Sequence, residues 1–494
     1  MPPEISMDEG RRRFIKYALS SAAGASLAAL AYPYVAGLFS PSAGPATSTS
    51  TTSTSGYLPP DVTPDYKEFL SWLHSASRPY AGTTLNIALE DEPTPLGTLL
   101  QDSDFGNATS MNDEYTVQSY YLHLSSLSLM TNTKSPTFDV FDVDHQDVAS
   151  FKDHILSPTD LAEMYPDLTY EPITQDDFEP LAWSLLARYP PGNLVSGGSE
   201  NTLFVPYDMD LMVQYYRSDV YAARGLTPAK TWDAYLQNLK AAGGSPLRFA
   251  TACQASPGIS VVYEFLNHLA SFGGQLWTYD GTALSTDLGS SAALSALENY
   301  LAVNKLADPA SASYTWDDVN RDLYLGVIGS AIQLDSLGFY MEDTSRSLVA
   351  GKMGYASNPA GPAGGFSTFA GSGVGISKYS KNPEAAWLWL QWAVSKGRQE
   401  AAALGRYSVY PSRKSALTSS DVSPLLTGQK YAALNAEMNA WRGGSIATLT
   451  PFPKWTGALS VIAYYLYEAV SGEDPATALG SAVQKIDQLG SLVF

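Results

Sequence analysis

Carboxylates stand at four places in this 494-residue chain, each at the end of an apolar run, and at one of them a tyrosine joins them. Glu90-Asp91-Glu92-Pro93 closes the run Thr84–Leu89, and Asp144-His145-Gln146-Asp147 closes Thr137–Val143. Tyr207-Asp208-Met209-Asp210 follows Leu203-Phe204-Val205 and Pro206, and Asp335-Ser336 follows Val327–Leu334. A carboxylate accepts hydrogen bonds from hydroxyl groups, and a tyrosine ring covers an apolar sugar face, so the Tyr207–Asp210 elbow suits a polyhydroxylated ligand. Glu90, Asp142 and Asp144 are candidates from the first two ends. Alternation along a strand sets Asp142 and Asp144 on one side. Tyr207, Asp208 and Asp210 are candidates from the third end, and Asp335 from the fourth. A competing reading exists for each: the strand-end carboxylates can cap a following helix, and Asp210 can cap its own elbow.

Other chemistries are poorly represented. No G-x-S-x-G elbow occurs, which argues against an α/β-hydrolase. The 5 histidines show no H-E-x-x-H or other metal-binding spacing. Gly371-Ser372-Gly373-Val374-Gly375 departs from the nucleotide fingerprint and reads better as a glycine-rich strand. The single cysteine, Cys253, excludes an internal disulfide and a zinc site built on several thiolates; it reads as a small buried hydrophobe. Net charge is −20. Outside residues 1–56, the chain carries 25 basic against 46 acidic side chains, and this surface repels phosphate backbones, so nucleic acid is not an expected partner. No cofactor is expected.

The elements that must position these clusters follow from periodicity. Short apolar strands alternate with helices, which indicates an α/β architecture with mainly parallel sheets. In open α/β sheets ligands sit beyond the carboxyl ends of strands, and that is where all four clusters fall. Val117–Leu129 alternates and is expected to contain a strand. Thr231 is the expected N-cap of a helix beginning at Trp232, and Ser260–Phe272, Ser290–Asn304 and Pro383–Ser395 read as helices. The helical spacing of Trp387, Trp389 and Trp392 assigns them to the core.

The order of short motifs adds a resemblance. Pro206-Tyr207 with Asp210, then Tyr215-Tyr216-Arg217 with Asp219, then Gly225-Leu226 with Pro228 and Thr231-Trp232-Asp233, resembles the crossover segment of maltose-binding-protein-like extracellular solute-binding proteins, archaeal type, which serve sugar ABC importers. Phe138–Asp144, Gly326–Ser336, Lys352–Pro362, Gly373–Trp387, Pro411–Arg413 and Pro453–Glu473 resemble further motifs of that family in the same order. The resemblance covers nearly everything after residue 80.

That resemblance implies a two-lobed periplasmic-binding-protein-like clamp with hinge crossings near Asp210, Pro362 and Leu404. One lobe would comprise 57–209 with 362–404, the other 210–361 with 405–494. It implies a monomeric, non-enzymatic subunit that takes a carbohydrate ligand and meets ABC permease subunits. By position in the family pattern, Asp210 is the leading ligand contact. Tyr263, Phe366 and Trp455 stand where the family places ring platforms, with core packing the alternative for Tyr263. Asp335 stands where the family has a small residue, and is either a specificity determinant or a turn cap. An exported glycoside hydrolase and a structural cell-surface protein remain the alternatives from other classes.

The N-terminus adds a location. Arg11-Arg12-Arg13-Phe14-Ile15-Lys16 before the uncharged stretch Tyr17–Phe39 matches a twin-arginine signal within residues 1–40. The apolar stretch is also long enough to span a bilayer. Residues 41–56 form a Ser/Thr-rich stalk. The leader is either cleaved near Ala43 or kept as a membrane anchor; a stalk favours the anchor, with the domain outside the cell.

Overall fold

A computed structural model describes residues 63–191, 202–406, 411–424, 436 and 445–494. The twin-arginine segment and the stalk lie outside the described residues, and so does the leader's expected role as an anchor.

Two mixed sheets organise the chain. The first has the order Asn112–Gln118, Thr84–Glu90, Val140–Asp144, Ser372–Ser377, Ile155–Leu156, with Val205–Asp208 also paired to Ser372–Ser377. Thr84–Glu90 runs parallel to both its neighbours, and Ser372–Ser377 runs antiparallel to all of its own. The second sheet has the order Met353–Ala356, Met212–Arg217, Ile328–Leu334, Phe249–Thr251. Only its Ile328–Leu334 and Phe249–Thr251 pair is parallel. Each sheet is the centre of one lobe.

The chain passes from the first sheet to the second between Asp208 and Met212, and returns between Ala356 and Ser372. The two crossings touch: Leu211 bridges Phe369, and Ala370 N–H donates to the Asp210 carbonyl at 3.0 Å. Further on, residues 412–413 are still with the first lobe, beyond the boundary expected at 405. Ser412 donates to the Pro206 carbonyl, and Arg413 pairs with Glu171 and Asp177.

Local sequence explains the supports. Thr231 caps the helix Trp232–Ala242, its hydroxyl accepting from Ala234 N–H at 3.2 Å. Pro383 opens the helix Pro383–Ala393, whose three tryptophans are fully buried behind the first sheet. Ile259–Ser271 is buried on nearly every side, as its apolar content requires, between the second sheet and the C-terminal helices Trp455–Val470 and Pro475–Asp487. Cys253 is buried and free.

The strand expected within Val117–Leu129 overlaps that range only at Val117-Gln118: the strand is Asn112–Gln118, and Tyr120–Thr133 is a helix. Tyr120, His123, Leu127, Met130 and Thr131 line its buried face, a helical spacing that the tyrosine–leucine–serine alternation conceals.

Candidate functional site

Register brings three strand ends of the first lobe together. Parallel pairing aligns the carboxyl ends of Thr84–Glu90 and Val140–Asp144. The antiparallel strand then sets Ser372 beside Asp144 on one side and Asp208 on the other. The result is an acidic rim of Glu90, Glu92, Asp144, Asp147 and Asp208. Glu90, Glu92 and Asp144 each offer a carboxylate oxygen, all three within 4.8 Å of one another. Two full charges at such a separation repel by about 3–4 kcal/mol at an effective dielectric of roughly 20, so the rim resists full ionisation.

The carboxyls respond accordingly. Burial, then the charges of Asp144, Asp142, Asp147 and Asp208, pushes Glu90 well up. Burial followed by Glu90 and Asp144 does the same to Glu92. Burial and the Asp147 charge push Asp144 up to about 8, while burial pushes Asp147 up to about 7 and Asp208 up to about 6. Near neutral pH the rim therefore holds both protonated and ionised carboxyls, and it can donate to a hydroxyl as well as accept from one.

Several of its polar atoms have no partner within the protein. Asp144 accepts from Gln146 Nε2 at 2.8 Å through Oδ2, but Oδ1 has none. Asp208 accepts from the Thr94 hydroxyl through Oδ1, and its Oδ2 has none. Glu92 Oε2 and the Ser372 hydroxyl are also buried without a partner. Buried polar atoms are normally satisfied, so these four leave bonding capacity at the rim that a ligand's polar groups could take up.

The second lobe contributes Tyr263 from the helix Ile259–Ser271. Its hydroxyl donates to Gln146 Oε1 at 3.1 Å. Gln146 donates to Asp144 and to the Tyr120 hydroxyl, which in turn donates to Asp147 at 2.8 Å. A second tie joins the lobes: Ile259 N–H donates to the Tyr121 hydroxyl at 2.9 Å.

Of the residues that the sequence singles out, Glu90, Asp144, Asp208 and Tyr263 meet at this rim. Neither Glu90 nor Asp144 caps a helix with its carboxylate. Asp142 lies beside them with a positioning role: it accepts from Glu90 N–H at 3.2 and 3.3 Å and pairs with His123 at 2.9 Å. Asp210 and Asp335 sit at the crossing. Ser336 donates to Asp210 Oδ2 at 2.7 Å, and Asp335 Oδ1 accepts from Leu211 N–H at 2.7 Å, so each carboxylate ties the elbow to the end of Ile328–Leu334.

The structure places Tyr207 and Trp455 in the two cores and Phe366 after a hairpin. Tyr207 is buried in the core of the first lobe and bonds to Thr98. Trp455 is buried in the core of the second lobe, edge-on to Phe452. Phe366 follows the short hairpin Ala360–Gly365, and its carbonyl accepts from Asn358.

Glu92, Asp147, Gln146, Tyr120, Tyr121 and Ser372 were not singled out by sequence reasoning. Glu92, Gln146 and Asp147 stand inside the two polar clusters that end strands, so their signal was position. Ser372 and the two tyrosines gave none, because register and lobe contact place them.

This is the architecture of a two-lobed solute binder. The sequence profile of the family "Bacterial extracellular solute-binding protein" matches residues 117–400. The chain belongs to that family. It is 24% identical over 312 residues to the erythritol/L-threitol-binding protein of Mycolicibacterium smegmatis, an alignment covering 62% of this chain and 64% of that relative's length. Its fold is similar to that of an ABC transporter solute-binding protein from Agrobacterium radiobacter K84 in complex with ribitol, with a TM-score of 0.71 at 19% identity, over 83% of this chain and 99% of that one. Maltose-bound MalE3 of T. maritima matches with a TM-score of 0.70 at 18% identity, over 83% and 100% of the two chains.

Proposed function

We propose that this protein is the substrate-binding subunit of an ABC importer for a sugar or polyol. The two lobes close on the solute outside the cell and present it to the permease subunits. The observation that carries this reading is the acidic rim between the lobes, where Glu90, Glu92, Asp144 and Asp147 lie near Tyr263 and Glu92, Asp144 and Asp208 have carboxyl oxygens left over. A polyol supplies hydroxyls that donate and accept, which is what a half-protonated carboxyl cluster needs. Closure removes water, so each such bond gains strength. The polyol and sugar names of its relatives support the class of ligand without fixing its size.

The twin-arginine segment and the Ser/Thr-rich stalk support an exported, membrane-tethered protein, and the family membership supports an archaeal-type monomer that performs no turnover. Titration calorimetry of the full chain with ribitol, erythritol, D-mannitol and maltose, with product analysis of the same mixtures, tests the reading. Saturable one-to-one binding with the solute recovered intact is expected. Product formation would favour a glycoside hydrolase, and no binding across an extended panel would favour a structural surface protein.

A further inference from the structure

We propose that the acidic rim binds a hard divalent cation of the calcium or magnesium type, with Glu90, Glu92 and Asp144 as its carboxylate ligands and the Ser372 hydroxyl beside them. The inference deepens the solute-binding reading and takes the rim to be the solute site, with the solute's hydroxyls completing the shell of the ion.

Geometry is the first support. Calcium holds oxygen ligands at about 2.3–2.6 Å, so oxygens around one ion lie no more than about 5 Å apart. One oxygen from each of Glu90, Glu92 and Asp144 meets that condition. The donor set is carboxylate and hydroxyl oxygen, with no thiolate or imidazole among it, and that composition selects hard cations.

Ser372 is the second and independent support. It is 2% exposed, and its hydroxyl has no hydrogen-bond partner. As the in-register neighbour of Asp144 across the strand pair, it presents its side chain on the same face as that carboxylate. A neutral hydroxyl buried there without a partner is not part of any charge cluster, and it shares a sheet face with Asp144, whose Oδ1 is likewise without a partner. Charge balance is the third support. Among the described residues, His123 is the basic side chain that pairs with a carboxylate here, and it is taken up by Asp142. No lysine or arginine among the described residues forms an ion pair with Glu90, Glu92, Asp144, Asp147 or Asp208.

The test uses the full chain stripped with a chelator and titrated with calcium, magnesium or manganese chloride alone. Saturable binding of one ion is expected, with a rise in Tm on adding the ion. Asp144→Asn and Glu92→Gln should each weaken it ten-fold or more. Where a variant folds poorly, the ion-dependent rise in Tm of the wild type and its absence with tetramethylammonium chloride serve instead. Wild-type protein that binds no divalent ion, or whose variants bind it unchanged, overturns the proposal. So does a rise in Tm equal for tetramethylammonium.

Solute titrations with and without chelator separate this proposal from the functional reading beneath it. A loss of solute affinity of ten-fold or more in chelator supports the cation. Unchanged solute affinity in chelator overturns the cation as a bridge and leaves solute binding standing. Ion binding with no solute bound under any condition sinks the solute reading.

Discussion

The Tyr263 hydroxyl on one lobe donates to Gln146 Oε1 on the other across 3.1 Å, and Gln146 in turn holds Asp144. The rim and the closing lobe are thus joined through one amide. On the proposed closing of the lobes, this bond is one that closure would make.

On the proposed function, Tyr263→Phe removes a contact that closure of the lobes would make. A neutral hydrogen bond contributes about 1 kcal/mol, so solute affinity should fall roughly five-fold. Tm of the solute-free protein should not change. Calorimetry and a melting scan on the same preparation check both; equal affinity in the variant contradicts the closing role.

Tyr121 makes the companion tie to Ile259, and Gly258 leaves room for it. A Cβ on residue 258 would stand 2.6 Å from the Tyr121 hydroxyl. The phenol is the far end of a partly exposed side chain, so Gly258→Ala should displace it at little cost to folding. The expected result is a weaker closed state, read as a several-fold loss of solute affinity with Tm retained.

Asp335 makes the opposite prediction. Its carboxylate accepts the Leu211 N–H within the crossing, and Asp335→Ala would leave that buried donor without it. Such an orphan costs about 1–3 kcal/mol. Stability should therefore fall by several degrees in Tm, while affinity changes less than three-fold. Affinity lost at unchanged Tm would return Asp335 to the ligand contacts.

Glu264, on the same helix as Tyr263, gives a pH signature. Burial pushes its carboxyl up from 4.5 to about 7, against the Gln254 N–H that bonds to it. Between those pH values the folded chain keeps the proton and the unfolded chain has lost it. Its contribution is complete below pH 4.5 and is lost as pH rises through 7, a change of about 3 kcal/mol. Glu264→Gln should flatten that part of the profile. Melting scans of both proteins from pH 4.5 to 8 test this, and parallel profiles would contradict it.

Much of this was legible because local rules carried it. Thr231 as a cap, Pro383 at a helix start and three tryptophans at helical spacing each report on their own neighbours. Carboxylates at strand ends were legible because an open sheet places ligands there. Partners fixed by register or by lobe contact were not. Ser372 gains meaning only beside Asp144 and Asp208, and Tyr121 only beside Ile259. Tyr207 shows the converse: it lies in the elbow, but a register shift near it accompanies a side chain turned into the core, towards Thr98. Trp455 opens a helix as a site residue can, yet its surroundings are apolar.

The central claim is that the acidic rim captures the solute. Its most direct measurement compares the wild type with the paired variant Glu90→Gln, Asp144→Asn by calorimetry, using the solute that binds the wild type best. The account predicts that affinity falls a hundred-fold or more while circular dichroism and cooperative melting stay intact. Wild-type affinity in a folded variant would contradict it.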